Sequence, residues 1–198
     1  MTEVDTEWII SAQKGDADSF AKLVDAHQVY VYNLCYRMLG NPSEAEDAAQ
    51  ETFIRAYTRL ASYDPDRKFS SWLLSIASHY CIDQLRRRRF SVISWDDLPP
   101  WRWLPDPNPQ PEEMTLRHET QRHVRELLDT LAPDYRAAMV LRYWHELSYE
   151  EIAEALESTV PAIKSRLFRA RQMMAEAAAR AESGPAIHVN GLKAMQEG

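Results

Sequence analysis

Six prolines fall between positions 99 and 111: Pro99, Pro100, Pro105, Pro107, Pro109 and Pro111. Proline donates no amide proton and its ring collides with the preceding turn, so neither a helix nor a central strand crosses such a stretch. The same segment carries Trp95, Trp101 and Trp103 among the acids Asp96, Asp97, Asp106, Glu112 and Glu113. It reads as an extended, acidic linker. The 198 residues are therefore divided into two short units, residues 1–90 and 117–182, with a linker over 91–116 and a tail over 183–198.

Both units carry helical periodicity. From Asp16 to Leu39 the residues Phe20, Leu23, Val24, His27, Val31, Leu34, Cys35 and Met38 recur every three or four positions, which sets one stripe along a helix. Gly40-Asn41-Pro42 ends it, and Ser43 with Glu46 has the spacing of a capping box for a second helix that turns Ala49, Phe53, Ala56, Tyr57 and Leu60 inward. A shorter helix around Trp8 to Lys14, closed by Gly15, and a long one from Phe69 through Leu85 complete the first unit. Strand-like alternation is scarce and only five glycines occur, so the fold class is all-α.

A formal net charge of -7 speaks against a nucleic-acid binder only if charge is spread evenly. It is not. Arg86, Arg87, Arg88 and Arg89 form one basic run and Lys164, Arg166, Arg169 and Arg171 another, whereas acids crowd residues 44–51 and the linker. Local basic patches on an acidic chain suit a protein that touches both DNA and a protein partner.

The second basic run lies on a recognisable frame. Ser148 and Glu151 make a capping box before Ile152, Ala153 and Leu156, and a tight connection leads to a helix capped by Thr159. Two helices so closely joined form a helix-turn-helix. Ile163, Leu167, Ala170 and Met174 then share the inward stripe, which leaves Ala162, Ser165, Arg166 and Arg169 on the other side. Arginine there can bridge guanine O6 and N7, and Lys164 and Arg171 on the flanks can neutralise phosphates.

Longer motifs are more specific. Residues 33–41 (NLCYRMLGN), 44–57 (EAEDAAQETFIRAY), 68–73 (KFSSWL) and 82–87 (IDQLRR) resemble region two of extracytoplasmic-function (ECF) sigma factors of the sigma-70 superfamily. Residues 147–153 (LSYEEIA) and 164–171 (KSRLFRAR) resemble region four, in the same order. The resemblance implies a region 2 bundle and a region 4 helix-turn-helix that bind bacterial RNA polymerase core, through its β′ coiled coil and β flap, and promoter DNA. It places Asp47, Gln50, Glu51 and Ile54 against the β′ coiled coil. It assigns the loop and helix bearing Tyr63, Lys68, Trp72, Ile76 and His79 to −10 recognition and melting, where Tyr63 and Trp72 either stack on unpaired bases or pack in the core. Arg86 and Arg87 follow the duplex backbone, and Ala162, Lys164, Ser165, Arg166, Arg169 and Arg171 meet the −35 element. The linker acids are expected to mimic RNA phosphates in the polymerase channel, and an anti-sigma factor is an expected partner.

This sequence departs from the family at three places. Glu157 stands for a common turn glycine, Pro161-Ala162 for Gly-Thr, and His79 for a frequent asparagine. The competing reading is a stand-alone helix-turn-helix regulator that never joins polymerase. An enzyme is not expected, because His145, Glu146, Glu150 and Glu151 accompany no H-E-x-x-H, phosphate loop or nucleophile motif and read as solvent-exposed helix ends. Cys35 and Cys81 match no C-x-x-C spacing and are expected as buried free thiols, with no metal and no cofactor. No apolar run approaches a membrane span and the sequence starts Met1-Thr2-Glu3 without a basic, apolar leader, so the expected location is the cytoplasm, without membrane insertion.

Overall fold

The computed structural model describes residues 3–65, 67–93 and 115–183, which form helices with no strand among them. The order is α1 (Glu3–Gln13), α2 (Ala17–Leu39), α3 (Pro42–Arg59), a single 3-10 turn (Leu60–Ser62), α4 (Phe69–Ile93), α5 (Thr115–Asp129), α6 (Pro133–Tyr143), α7 (Tyr149–Ala155) and α8 (Val160–Ser183). Most of the linker, with its prolines and acids, and the tail after Ser183 lie outside the described residues.

Helices α1 to α4 pack as one bundle with α2 at its centre. Asp16 starts α2 by accepting from the Ser19 amide, and Gly40 ends it in the left-handed region at φ 75, where a side chain costs energy that glycine escapes. The predicted stripe is present: Leu23, Val31, Leu34, Cys35 and Met38 are buried, with Phe20, Val24 and His27 half-buried. Both thiols are buried as expected, but they are neighbours. Helices α2 and α4 lie side by side, and the Cys81 thiol is pushed up by its hydrogen bond to Cys35 and then by burial.

Helix α3 begins differently from the sequence expectation. Asn41, not Ser43, is the cap: its side-chain oxygen accepts from the Glu44 amide while Pro42 fills the first helical position, where a missing amide proton costs nothing. The buried stripe is also shifted to Ala45, Ala48, Ala49, Thr52 and Ala56, and Tyr57 points outward with its ring edge-on to Phe20. Small alanines let α3 approach α2 closely, which leaves no room inside for a tyrosine. Helix α4 continues to Ile93, past the boundary at residue 90, and α1 starts at Glu3, ahead of Trp8.

In the second unit, α6 forms the buried centre through Ala137, Ala138, Met139, Val140 and Leu141, and α8 packs on it with Ile163, Leu167 and Ala170. The two units are in contact. Helices α2 and α4 of the first pack against α6 and α7 of the second. Arg136, only 6% exposed, reaches across with Nη1 to donate to the Met38 carbonyl at 2.7 Å. Tyr30 donates to the His145 carbonyl, and the two rings meet edge to face at 4.4 Å. Arg37 lies over the Trp144 ring, and Arg125 over that of Tyr36.

Candidate nucleic-acid interface

The helix-turn-helix is built as its sequence dictates. The Ser148 hydroxyl accepts from the Glu151 amide at 3.1 Å and the Glu151 carboxylate accepts from the Ser148 amide at 2.8 Å, so both halves of the capping box are made. The turn closes through Ser158, whose amide donates to the Ala153 carbonyl at 2.8 Å. This geometry requires Glu157 to adopt φ 47, the left-handed conformation for which glycine is suited and glutamate is not. Thr159 caps α8 by accepting from the Ala162 amide.

Helix α8 therefore presents a fixed outer face. Ser165 and Arg169 are exposed on it, and Ala162 and Arg166 are half-buried at its edge. Lys164 and Arg171 flank it, with the Lys164 ammonium 5.5 Å above the Tyr149 ring. Among the described residues none of Lys164, Arg166, Arg169 and Arg171 forms an ion pair. Four cations without carboxylate partners on the outer turns of a capped helix are available to phosphates and base edges.

The first unit presents a groove. Trp72, Ile76 and His79 lie along one side of α4, at successive turns, and line a cavity of about 670 Å³ together with Arg55, Arg59, Arg67 and Lys68. Trp72 is half-buried, leaning on Tyr63 and Phe69 with ring centres 4.8 and 5.6 Å away, and so combines core packing with an edge on the cavity. His79 Nδ1 lies 2.8 Å from the Ser75 carbonyl, which orients the ring toward the opening. Tyr63 is different. It is 4% exposed, its hydroxyl donates to the Arg67 carbonyl, and burial pushes its phenol up to about 12. Of the two roles open to it in the sequence, packing in the core is the one this structure displays; Ile76, 6% exposed, is buried to a similar degree.

The far wall of this groove belongs to the second unit. Glu151, Glu154 and Glu157 line the same cavity. Arg67 pairs with Glu154 at 2.7 Å and Lys68 with Glu151 at 2.7 Å, while Arg86 reaches both oxygens of Asp134 at 3.1 and 3.0 Å. The Lys68 ammonium, followed by the Ser148 amide, holds the Glu151 carboxyl below its ordinary value. Arg87 is exposed, and Arg88 pairs with Glu44. The Arg89 side chain lies outside the described residues.

A third surface lies on α3. Asp47 and Gln50 are exposed, Ile54 is 59% exposed, and Glu51 stands between them, held by Arg55 at 2.7 Å. Beside this ridge a shallow depression of about 340 Å³ is lined by Val24, Val29, Tyr32, Ala49 and Phe53. Val29 is 67% exposed. The sequence reading missed it because Val29 falls off the helical stripe of α2, yet an apolar residue outside that stripe was the available signal.

His145 is not at a solvent-exposed helix end. It is 7% exposed, wedged between Tyr30 and Arg37, and burial followed by the Arg37 charge pushes its imidazole down to about 4. No group of three or more metal-ligating side chains gathers among the described residues, and no helix among them is long and apolar enough to cross a membrane.

Comparison with known proteins agrees with this arrangement. Residues 23–91 match Sigma-70 region 2, and residues 121–174 match Sigma-70, region 4. The ECF RNA polymerase sigma factor SigW of Bacillus subtilis (strain 168) is 38% identical over 172 residues, which cover 84% of this chain and 92% of that protein. The RNA polymerase sigma-H factor of Pseudomonas aeruginosa is 33% identical over 182 residues, covering 88% and 94%. Among solved structures, CnrH in complex with the cytosolic domain of CnrY shares 25% identity and superposes with a TM-score of 0.66 over 89% of this chain and 98% of that one. The sigma factor RpoE in complex with the anti-sigma factor NepR from Bartonella quintana has the same fold, with a TM-score of 0.64 at 22% identity over 82% of this chain and 98% of that one. With both regions matched in order and the α4 groove and α8 face built from the motifs that carry the likeness, the chain belongs to the extracytoplasmic-function sigma factors of the sigma-70 family.

Proposed function

We propose that this sigma factor docks on core RNA polymerase through the α3 ridge of Asp47, Gln50, Glu51 and Ile54, and selects promoters with two separate DNA surfaces. The α8 face of Ala162, Lys164, Ser165, Arg166, Arg169 and Arg171 reads the −35 element. The α4 groove of Lys68, Trp72, Ile76 and His79 captures melted −10 bases, and Arg86 and Arg87 follow the backbone upstream. Tyr63 supports Trp72 from below and touches no base.

The observation that carries this reading is Ile54, 59% exposed within a rim of carboxylates and an amide. A stand-alone DNA reader has no use for such a ridge. A protein-docking face does, because charge steers the encounter and the apolar centre is desolvated on contact. The depression under Val29 extends the same face. An anti-sigma partner is supported by the structural neighbours CnrH and RpoE, the latter solved with an anti-sigma factor.

The test is start-site-specific transcription with purified core enzyme, alongside promoter retention with and without core. Retention should depend on core enzyme, and Ile54→Glu should abolish it without changing the melting temperature of the chain. Promoter binding of equal strength without polymerase would establish the stand-alone regulator instead.

A further inference from the structure

Three helices of the second unit meet at one aromatic ring. Tyr149 is the first residue of α7, directly after the Ser148 cap, and its ring is half-buried against the core. From α6 the Arg142 guanidinium lies over that ring, 4.9 Å from its centre. From the second turn of α8 the Lys164 ammonium lies over it too, at 5.5 Å. The ring is fixed independently of Lys164. Both halves of the Ser148–Glu151 capping box set the start of α7, and Arg142 Nη1 donates to the Leu147 carbonyl at 2.8 Å, which pins the guanidinium at the same corner.

This contact sets Lys164 apart from the other cations of α8. Among the described residues, Arg166, Arg169 and Arg171 lie over no ring and form no ion pair, so neither a ring nor a carboxylate sets where their charges point. Lys164 is exposed, and an exposed lysine is a hydrated point charge on a flexible stem. Left to itself it samples many rotamers and follows whichever phosphate is near. An aromatic face within about 6 Å attracts the ammonium through the ring quadrupole. The stem is then ordered in the free protein instead of on binding, and the charge stands at one place relative to the helix that carries it. Neither Lys164 nor Arg142 pairs with a carboxylate among the described residues, so no internal anion competes with a phosphate for the ammonium.

We infer that Tyr149 is a positioning residue for promoter recognition: its ring, fixed by α6 and α7, holds the Lys164 ammonium where α8 meets one phosphate of the −35 element, and so sets the register of the helix on DNA. The inference rests on the reading of the α8 face as the −35 surface. Phosphate contacts of this kind carry no sequence information, but they fix register and orientation.

The test changes the electronics of the ring and not its shape. Full-length chains carry Tyr149→Phe, or pentafluorophenylalanine at position 149, which reverses the ring quadrupole. Each is made with Lys164 and with Lys164→Met. These chains and wild type are assembled with core polymerase, and the probe is a fluorescein-labelled duplex bearing the −35 element of a promoter that the wild-type holoenzyme transcribes. Beside Lys164 the fluorinated ring should weaken binding about three-fold relative to phenylalanine. Beside Lys164→Met the two rings should bind alike, a coupling that a purely structural role of the ring would not produce. Lys164→Met should also lower the salt slope of log K by about one. In the free chain, nuclear magnetic resonance should find the Lys164 ε-methylene protons shifted upfield by the ring in wild type and Tyr149→Phe, and near their ordinary position in the fluorinated chain. Equal affinity of the two rings beside Lys164, an equal loss in both Lys164 backgrounds, or ordinary ε-methylene shifts in wild type would overturn the inference. Should the fluorinated chain lose its helical circular dichroism, Tyr149→Met takes its place in the same two backgrounds: a loss confined to Lys164 supports the inference and an equal loss in both refutes it. Lys164→Met that binds as tightly as wild type with an unchanged salt slope would refute the −35 reading of Lys164 and the inference with it, whereas a loss in Lys164→Met without coupling to the ring refutes the inference alone.

Discussion

Acidification should separate the two units through His145. Its imidazole is buried against Tyr30, with Arg37 nearby, and neither ring nitrogen has a hydrogen-bond partner among the described residues. Docked, it titrates at about 4 instead of the ordinary 6.5. When the units part, the ring is solvated and the ordinary value returns. The open form therefore binds the proton more readily, and the docked form is favoured fully only above pH 6.5, losing ground as the pH falls toward 4. The drop from 6.5 to about 4 limits the effect to about 3.4 kcal/mol. Between pH 7.5 and pH 5 the loss amounts to about 2 kcal/mol, or roughly 30-fold in the docking equilibrium. His145→Phe keeps a ring against Tyr30 and gives up no hydrogen bond from the imidazole, so it should leave docking at pH 7.5 unchanged and abolish this part of the acid response. The distance between spin labels at Ser62→Cys and Glu150→Cys, both exposed while the native thiols are buried, recorded for both proteins at pH 7.5 and pH 5, measures it. An acid response of equal size in His145→Phe would refute the argument and move the cause to Glu146, Glu151 and the rim acids.

Three further outcomes are expected. Glu157→Gly should raise stability by about 1 kcal/mol in urea unfolding, because a left-handed φ of 47 strains glutamate by about 1 to 2 kcal/mol and glycine recovers most of it after its greater unfolded-state entropy. Ser148→Ala should lower stability by about 1 kcal/mol, since it removes the hydroxyl half of the capping box. Arg169→Ala should weaken binding to −35 promoter DNA by about 1 to 3 kcal/mol in the assembled holoenzyme if it contacts a base edge, and unfolding measurements should show no change, because its side chain is exposed and forms no ion pair among the described residues.

What the sequence made legible was local. The stripe on α2, the Ser148–Glu151 box and the Thr159 cap are each decided within four residues, by periodicity or by a single hydrogen bond, and each is present. Where two local solutions competed, sequence reasoning chose wrongly. Asn41 and Ser43 both precede a glutamate at cap spacing, and the proline between them decides for Asn41. Tyr57 lies within one residue of the α3 stripe, and only the close approach of the alanine face to α2 turns it out. Cys35 and Cys81 are 46 positions apart, and no spacing rule foretells that neighbouring helices bring them together. His145 was misjudged because a polar ring in a loop resembles a surface residue until its partner from a distant helix, here Tyr30, is known.

The docking of the two units was the least legible feature because it is made mostly of groups that a surface also uses. Beside Arg136 and the Tyr30–His145 and Arg37–Trp144 contacts, the interface carries pairs of arginine or lysine with carboxylates that would be equally soluble apart. Ion pairs of this kind leave no apolar periodicity in the sequence. Each rim pair is weak and screened by salt, so the charged part of this interface adds little to the docking of the two units and the buried Arg136 contact carries more of it.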